Sequence, residues 1–191
     1  MEMRLAQKED LKTVYALFLE TRKRMEEEGN TTWSDGYPLR KNFAWDISQK
    51  SAYLFFEGRE LVAYIAVSFD PIEDFFSETK SPQKALQLQK DVGFQEGESF
   101  LLLHRLMVRP SLQGRGYAEQ VFQQIAAAYP RSILIFAVFP ENEKAIRAYE
   151  RYGFVNAGIY PPFEYGFSPF YLFYKHPNTA WGSVANRDTD N

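Results

Sequence analysis

The sequence has no cysteine and only 2 histidines in 191 residues. The first absence excludes a disulfide framework, a thiolate metal site and an acyl-enzyme on cysteine. The second argues against a histidine-rich metal site, and no metal is expected. A basic excess is missing as well: 22 Lys+Arg stand against 25 Asp+Glu, a formal net charge of −3. That balance does not call for nucleic acid, and no basic amphipathic stretch calls for a membrane surface. No apolar run reaches membrane-spanning length, and the charged opening Met1-Glu2-Met3-Arg4 does not read as a signal peptide. The expectation is a soluble cytoplasmic protein with one sizeable core. Aromatic residues, by contrast, make up 17% of the chain. They suit a core and a sheet, and they permit an aromatic-lined pocket.

One stretch organises the rest. Phe100 to Val108 is apolar on both alternating faces apart from His104 and Arg105, as in a central strand covered on both sides. Pro110 cannot donate to a ladder, so the strand should end near Arg109. Gln113-Gly114-Arg115-Gly116-Tyr117-Ala118 then opens a helix. Ala118, Val121, Phe122, Ile125 and Tyr129 recur along one helical face. The first amides of a helix lack internal partners and carry the positive end of the dipole. Gly114 and Gly116 have no Cβ, so a diphosphate can approach the backbone, and Arg115 adds a charge. A Walker loop would need Gly-Lys-Ser/Thr, which is absent. A dinucleotide fingerprint would need glycine where Glu119 stands.

The pattern that fits is Gln/Arg-x-x-Gly-x-Gly/Ala after a strand ending in Val. A second run, Asn142-Glu143-Lys144-Ala145-Ile146-Arg147-Ala148-Tyr149-Glu150-Arg151-Tyr152-Gly153-Phe154, matches Asn-x-x-Ala-x-x-x-Tyr-x-x-x-Gly-Phe at every defined position. Both signatures resemble those of the GNAT superfamily of N-acetyltransferases. The resemblance implies an α/β fold: a mixed, twisted central sheet of about six or seven strands with helices on both faces. The strands at 101–108 and 133–138 would run parallel and splay apart. It implies acetyl-CoA as co-substrate and a primary amine as acceptor, acetylated directly in a ternary complex; a small-molecule amine is the preferred reading of the acceptor and a protein amine the alternative. The pantetheine arm would pair with backbone near Met107 and Val108. The phosphates would rest on Gln113, Gly114, Arg115, Gly116, Tyr117 and Ala118, and Asn142 would reach the arm. A backbone N–H at Met107 or Val108 would hold the oxyanion.

Tyr149 is the candidate acid for the leaving thiolate. The competing reading packs it with Ala145 and Tyr152. For the base, some relatives place a carboxylate or histidine on the strand that here holds His104. Strict alternation puts His104 on the face of Leu102, Leu106 and Val108, and an unperturbed histidine titrates near neutrality, which suits the task. A buried structural histidine is an equally open reading. Leu102 stands where some relatives have glutamate, Glu98 is a weaker candidate, and His176 has no assigned role. A different class of function also stays open: a non-catalytic acyl-CoA-binding or sensing module on the same fold. Tyr149 favours the enzyme, since binding alone does not need a phenol at the sulfur.

The remaining chain reads in order. A single domain is expected over 1–176, with a flexible polar tail at 177–191. Met1 to Ala6 suits a strand. A helix from Glu9-Asp10 carries Leu11, Val14, Tyr15, Phe18 and Met25 on one face and stops at Gly29. Its last acids, Glu26-Glu27-Glu28, are either a solvated end or a rim that attracts a cationic amine. Trp33, Asp35 and Tyr37 lie on the following loop. The resemblance makes that connection a wall of the acceptor pocket, with Trp33 and Tyr37 as substrate contacts; a packing role for Trp33 competes. Leu39, Phe43 and Ile47 suit a second helix. Ala52 to Phe56 and Leu61 to Phe69 suit a hairpin. The segment Asp70 to Glu98 is least family-like. Ser81 as N-cap and Pro82 at the first helical position predict a helix to about Lys90. The insert reads equally as a lid or as a dimer contact, so a homodimer stays open. Ile133 to Val138 suits a strand, Asn142 can cap the next helix, and Phe154 to Tyr160 and Phe170 to Tyr174 suit the last two strands.

Overall fold

A computed structural model describes residues 1–34, 36–69, 82–160 and 169–181. The elements are β1 (Glu2–Leu5), α1 (Leu11–Glu27), α2 (Arg40–Ser48), β2 (Ala52–Glu57), β3 (Glu60–Ser68), α3 (Pro82–Asp91), β4 (Ser99–Val108), α4 (Tyr117–Ala128), β5 (Ser132–Val138), α5 (Glu143–Arg151), β6 (Val155–Tyr160) and β7 (Phe170–Lys175). The strands form one mixed sheet in the order β1-β2-β3-β4-β5-β7-β6. Only β4 and β5 pair in parallel among the registers described. This is the mixed α/β sheet that the sequence pattern led us to expect. Asp35, the pairs Asp70-Pro71 and Phe75-Phe76, the Ser81 cap, the loop at 161–168 and the tail from 182 lie outside the described residues. Among the described residues no helix is long and apolar enough to cross a membrane.

The chain forms two compact units, one of residues 1–68 and 103–128, the other of 69–102 and 129 onward. In the first, α1 buries Val14, Leu17, Phe18 and Thr21 at helical spacing. It ends at Gly29, whose φ is +79°. The N–H of Asn30 returns to Met25 and that of Gly29 to Glu26, a Schellman cap that needs the left-handed residue. With Phe43 and Ile47 of α2, these side chains pack on Leu54, Leu61, Tyr64, Ala66 and Met107. Leu61 shares a face with Tyr64 and Ala66 because of a bulge. Pairing steps from Phe55↔Ala63 to Phe56↔Leu61, leaving Val62 extra. Ala63, Ile65 and Val67 alternate to the other face and are also buried, and α4 packs on β3 through Val121, Phe122 and Ile125. Burial on both faces explains why Leu61 to Val67 is an unbroken apolar run.

Strand β4 is not regular. Arg105 has a φ of +50°, a left-handed conformation that non-glycine residues rarely adopt. Its guanidinium grips Asp46 of α2 with two N–H groups: Nε donates to Oδ2 at 2.9 Å and Nη2 to Oδ1. Nη1 donates to the Tyr37 hydroxyl. Tyr64 donates to Asp46 Oδ2 at 2.6 Å. Burial, with the Asp46 carboxylate adding, pushes the Tyr64 phenol well above its usual pKa, so it keeps the proton it donates. Side-chain exposure is 11% for Arg105 and 4% for Asp46. Arg105 therefore points to the α1/α2 side, as does Met107. His104 lies there too: its Nε2 is 2.9 Å from Ser68 Oγ, and Ser68 alternates with Tyr64 and Ala66. This corrects the expectation that His104 shares a face with Leu106 and Val108. The left-handed residue makes the strand skip one alternation.

In the second unit, Leu88, Val92, Phe100, Leu102, Ile133, Ile135, Phe170 and Leu172 form the core. The parallel ladder runs from Ser99↔Ser132 to Leu102↔Ile135, with the two serine hydroxyls 2.8 Å apart. Lys175 is 2% exposed. Its ammonium donates to the carbonyls of Ala180 and Gly153 at 2.8 and 3.3 Å and stands 4.7 Å from the Trp181 ring centroid. Those partners make burial of the charge tolerable.

The Arg105–Asp46 pair carries a stability prediction. Asp46→Ala leaves a buried guanidinium without its counter-charge, which costs about 3–5 kcal/mol when a buried pair is broken. Urea unfolding of wild type, Asp46→Ala and the double variant Asp46→Ala/Arg105→Met reads it. The double variant should recover much of the loss. A single-variant loss under about 1 kcal/mol, the size of a solvated surface pair, would refute the buried clamp.

Candidate active site

After β4 a short 3-10 turn, Pro110–Leu112, leads into the glycine loop. Gly114 and Gly116 have φ of +77° and +81°, which is why glycine stands at both. No heavy atom lies within 4 Å of where a Cβ would sit on either, so the space beside the loop is open. Gln120 is the first residue of α4 whose N–H finds a backbone acceptor, the Gly116 carbonyl at 3.1 Å. Among the described residues, the amides from Gly114 through Glu119 have no backbone acceptor. They form a cradle at the positive end of α4, with Arg115 exposed beside it. A diphosphate fits this chemistry. Gln113 differs from its neighbours. Its N–H meets the Pro110 carbonyl at 3.4 Å, and its side chain donates to the Val108 carbonyl at 3.2 Å, bracing the loop against the strand.

The same unit holds the other candidates of β4. Met107 is buried and Val108 nearly so. The ladder with β5 stops at Leu102, so from Leu103 to Val108 that edge of β4 has no ladder pairing among the described residues. His104 and Ser68 are both half-buried. Tyr37 is 43% exposed, with its hydroxyl on Arg105 and its ring 5.9 Å from that guanidinium. Trp33 instead packs against the core, its ring 6.0 Å from Phe18. The acids at the end of α1 are compensated: Arg22 lies 3.6 Å from Glu26, and Arg24 lies 3.9 and 2.8 Å from Glu27 and Glu28. The ion pairs favour the solvated helix end over the charged rim. An open depression of about 320 Å³, lined by Glu20, Lys23, Arg24, Glu27 and Arg109 among others, includes Glu27 of the candidate acidic rim but none of the expected catalytic, cofactor or aromatic contacts.

The other unit holds Asn142 and Tyr149. Asn142 caps α5, accepting from the Ala145 N–H at 3.3 Å. The Tyr149 ring packs edge-on against Phe136 at 4.5 Å, with Phe173 and Phe154 at 6.1 and 6.3 Å. Burial, with Tyr152 adding, pushes its phenol well above the usual range. It therefore keeps its proton at neutral pH and retains an O–H that can donate. Glu98 accepts from the Gln95 N–H at 2.7 Å and lies 3.7 Å from His176. It closes a turn, and His176 contacts the Val92 carbonyl. Sequence reasoning missed Asp46, Tyr64, Ser68 and the role of Arg105. Two signals were available: an arginine inside an apolar strand, and an aspartate between Phe43 and Ile47 on a buried helix face.

The Acetyltransferase (GNAT) family model matches residues 14–154. Among solved structures, a GNAT-family acetyltransferase from Streptococcus agalactiae is similar, with a TM-score of 0.71 and 19% identity over 92% of this chain and 94% of that one. One from Listeria monocytogenes scores 0.66 with 21% identity over 91% and 93%. A putative acetyltransferase from Salmonella typhimurium, solved with its cofactor acetyl-CoA, scores 0.59 with 13% identity over 96% and 98%. At such identities the likeness is one of fold. No curated protein matches the sequence. The family match runs from α1 to the start of β6 and takes in both the amide cradle and the Asn142–Phe154 signature, so the chain belongs to the GNAT family of acetyltransferases, which use acetyl-CoA.

Proposed function

We propose that this protein transfers the acetyl group of acetyl-CoA to the nitrogen of a primary amine, a small molecule, by direct attack within a ternary complex. The observation that carries the reading is the arrangement of β4. A single strand brings a half-buried histidine, an edge without ladder pairing at Met107 and Val108, and a cradle of amides at Gly114 to Ala118 in succession. Each part has a task. The amides and Arg115 take the diphosphate. The edge at Met107 and Val108 takes the pantetheine arm, and a backbone N–H there donates to the oxyanion as the tetrahedral centre forms. His104 removes the proton that the amine must lose. The nitrogen–carbon bond forms, the carbon–sulfur bond breaks, and the electron pair leaves with the sulfur. Tyr149 donates to that thiolate and Asn142 contacts the arm. Both enter on the strength of their signature. The absence of cysteine supports direct attack over an acyl-enzyme on sulfur.

Three measurements test the reading. Thiol release from acetyl-CoA across a panel of small and peptide amines should show turnover with small amines. Binding of acetyl-CoA without turnover on the whole panel would favour a non-catalytic binding module instead. In Gly116→Asp, the added carboxylate meets the diphosphate with bulk and like charge. Calorimetry should show acetyl-CoA binding lost in a folded variant, and unchanged affinity would remove the cradle from the site. In Tyr149→Phe, turnover should fall on the order of 10²-fold, the usual size for one general acid, with acetyl-CoA affinity kept. Turnover within about threefold of wild type would remove Tyr149 from the chemistry.

A further inference from the structure

Ser68 is the last residue of β3, and its hydroxyl is 2.9 Å from His104 Nε2. The pair stands beside the left-handed Arg105, whose guanidinium is held by Asp46 of α2. In neutral imidazole only one ring nitrogen accepts. If Nε2 accepts from Ser68, that lone pair is already engaged, and an amine cannot reach it without displacing the hydroxyl. A hydroxyl oxygen, however, donates once and accepts through two lone pairs. Both residues are half-buried rather than sealed, and Phe69, the next residue, is 55% exposed. Ser68 and His104 therefore lie at the margin of the core rather than within it.

Resting on the reading of His104 as base, we propose that Ser68 is a catalytic residue that contacts the substrate amine and relays its proton to His104. The amine N–H donates to Ser68 Oγ. As nitrogen bonds to the acetyl carbon, that proton passes to Oγ and the serine's own proton passes to Nε2. The carbon–sulfur bond breaks with its electrons on sulfur, and the imidazolium holds the proton until it returns to the thiolate or to solvent. No redox partner is needed, and the serine is regenerated in the same step. The site therefore selects acceptors with an N–H available to donate at the moment of attack.

The test has three readouts. In wild type without substrate, NMR of the His104 ring nitrogens should show the proton on Nδ1. A proton on Nε2 would overturn the relay, because His104 would then be the donor. With an amine that wild type accepts, Ser68→Ala should lower kcat by on the order of 10–10²-fold, within reach of general-base effects, and leave the KM for acetyl-CoA unchanged. Ser68→Thr, which keeps the hydroxyl, should restore most of the rate. A Ser68→Ala rate within about threefold of wild type would sink the relay alone, whereas a wild type that acetylates no amine would sink the proposed function beneath it. Mass spectrometry of the enzyme with acetyl-CoA and no amine should find Ser68 unmodified. An acetyl group on Ser68 would make it the nucleophile and overturn the relay.

Discussion

The backbone of Arg105 is the constraint on which the site depends. A left-handed conformation at a residue with a Cβ costs roughly 1–2 kcal/mol, and here it sits in the middle of a strand. It persists because the side chain is held at its far end. Two N–H groups of the guanidinium meet both oxygens of Asp46, a third meets Tyr37, and Tyr64 completes the carboxylate's shell. Such a pair, being desolvated, contributes less net stability than its contacts suggest. Its contribution is to fix which way β4 turns. On the side that Arg105 faces, His104 also meets Ser68.

This dependence reaches back to α2. Asp46 lies on the buried face of that helix with Phe43 and Ile47. A charge in that position would be a folding error without a partner. The aromatic packing of Phe43 against Phe18 and Tyr64 sets the helix at the distance the guanidinium requires. Apolar contacts place the carboxylate, and the carboxylate shapes the strand.

The elements were legible in the sequence because periodicity and punctuation agree. Pro82 opens α3, Gly29 closes α1, Asn142 caps α5, and the unbroken apolar run of β3 announced burial on both faces. The glycine loop was legible because only glycine takes the φ of Gly114 and Gly116 without strain. What escaped is non-local. Strict alternation assumes a regular strand, and nothing between Phe100 and Val108 announces that Arg105 departs from it; the cause lies 59 positions away at Asp46. The packing of Trp33 on Phe18 is also a contact between distant residues. The compensation of Glu26 and Glu28, by contrast, was there to be read, since Arg22 and Arg24 precede them by four positions.

One strand therefore reconciles two demands. A parallel ladder wants an even backbone, whereas a site wants unpaired amides and a turned side chain. β4 meets the first demand from Ser99 to Leu102, where it pairs with β5, and the second from Leu103 onward. The change falls just before Arg105. Beyond that change stand the left-handed Arg105 and the edge without ladder pairing at Met107 and Val108. The buried ion pair with Asp46 holds that left-handed residue in place, next to the histidine proposed as base.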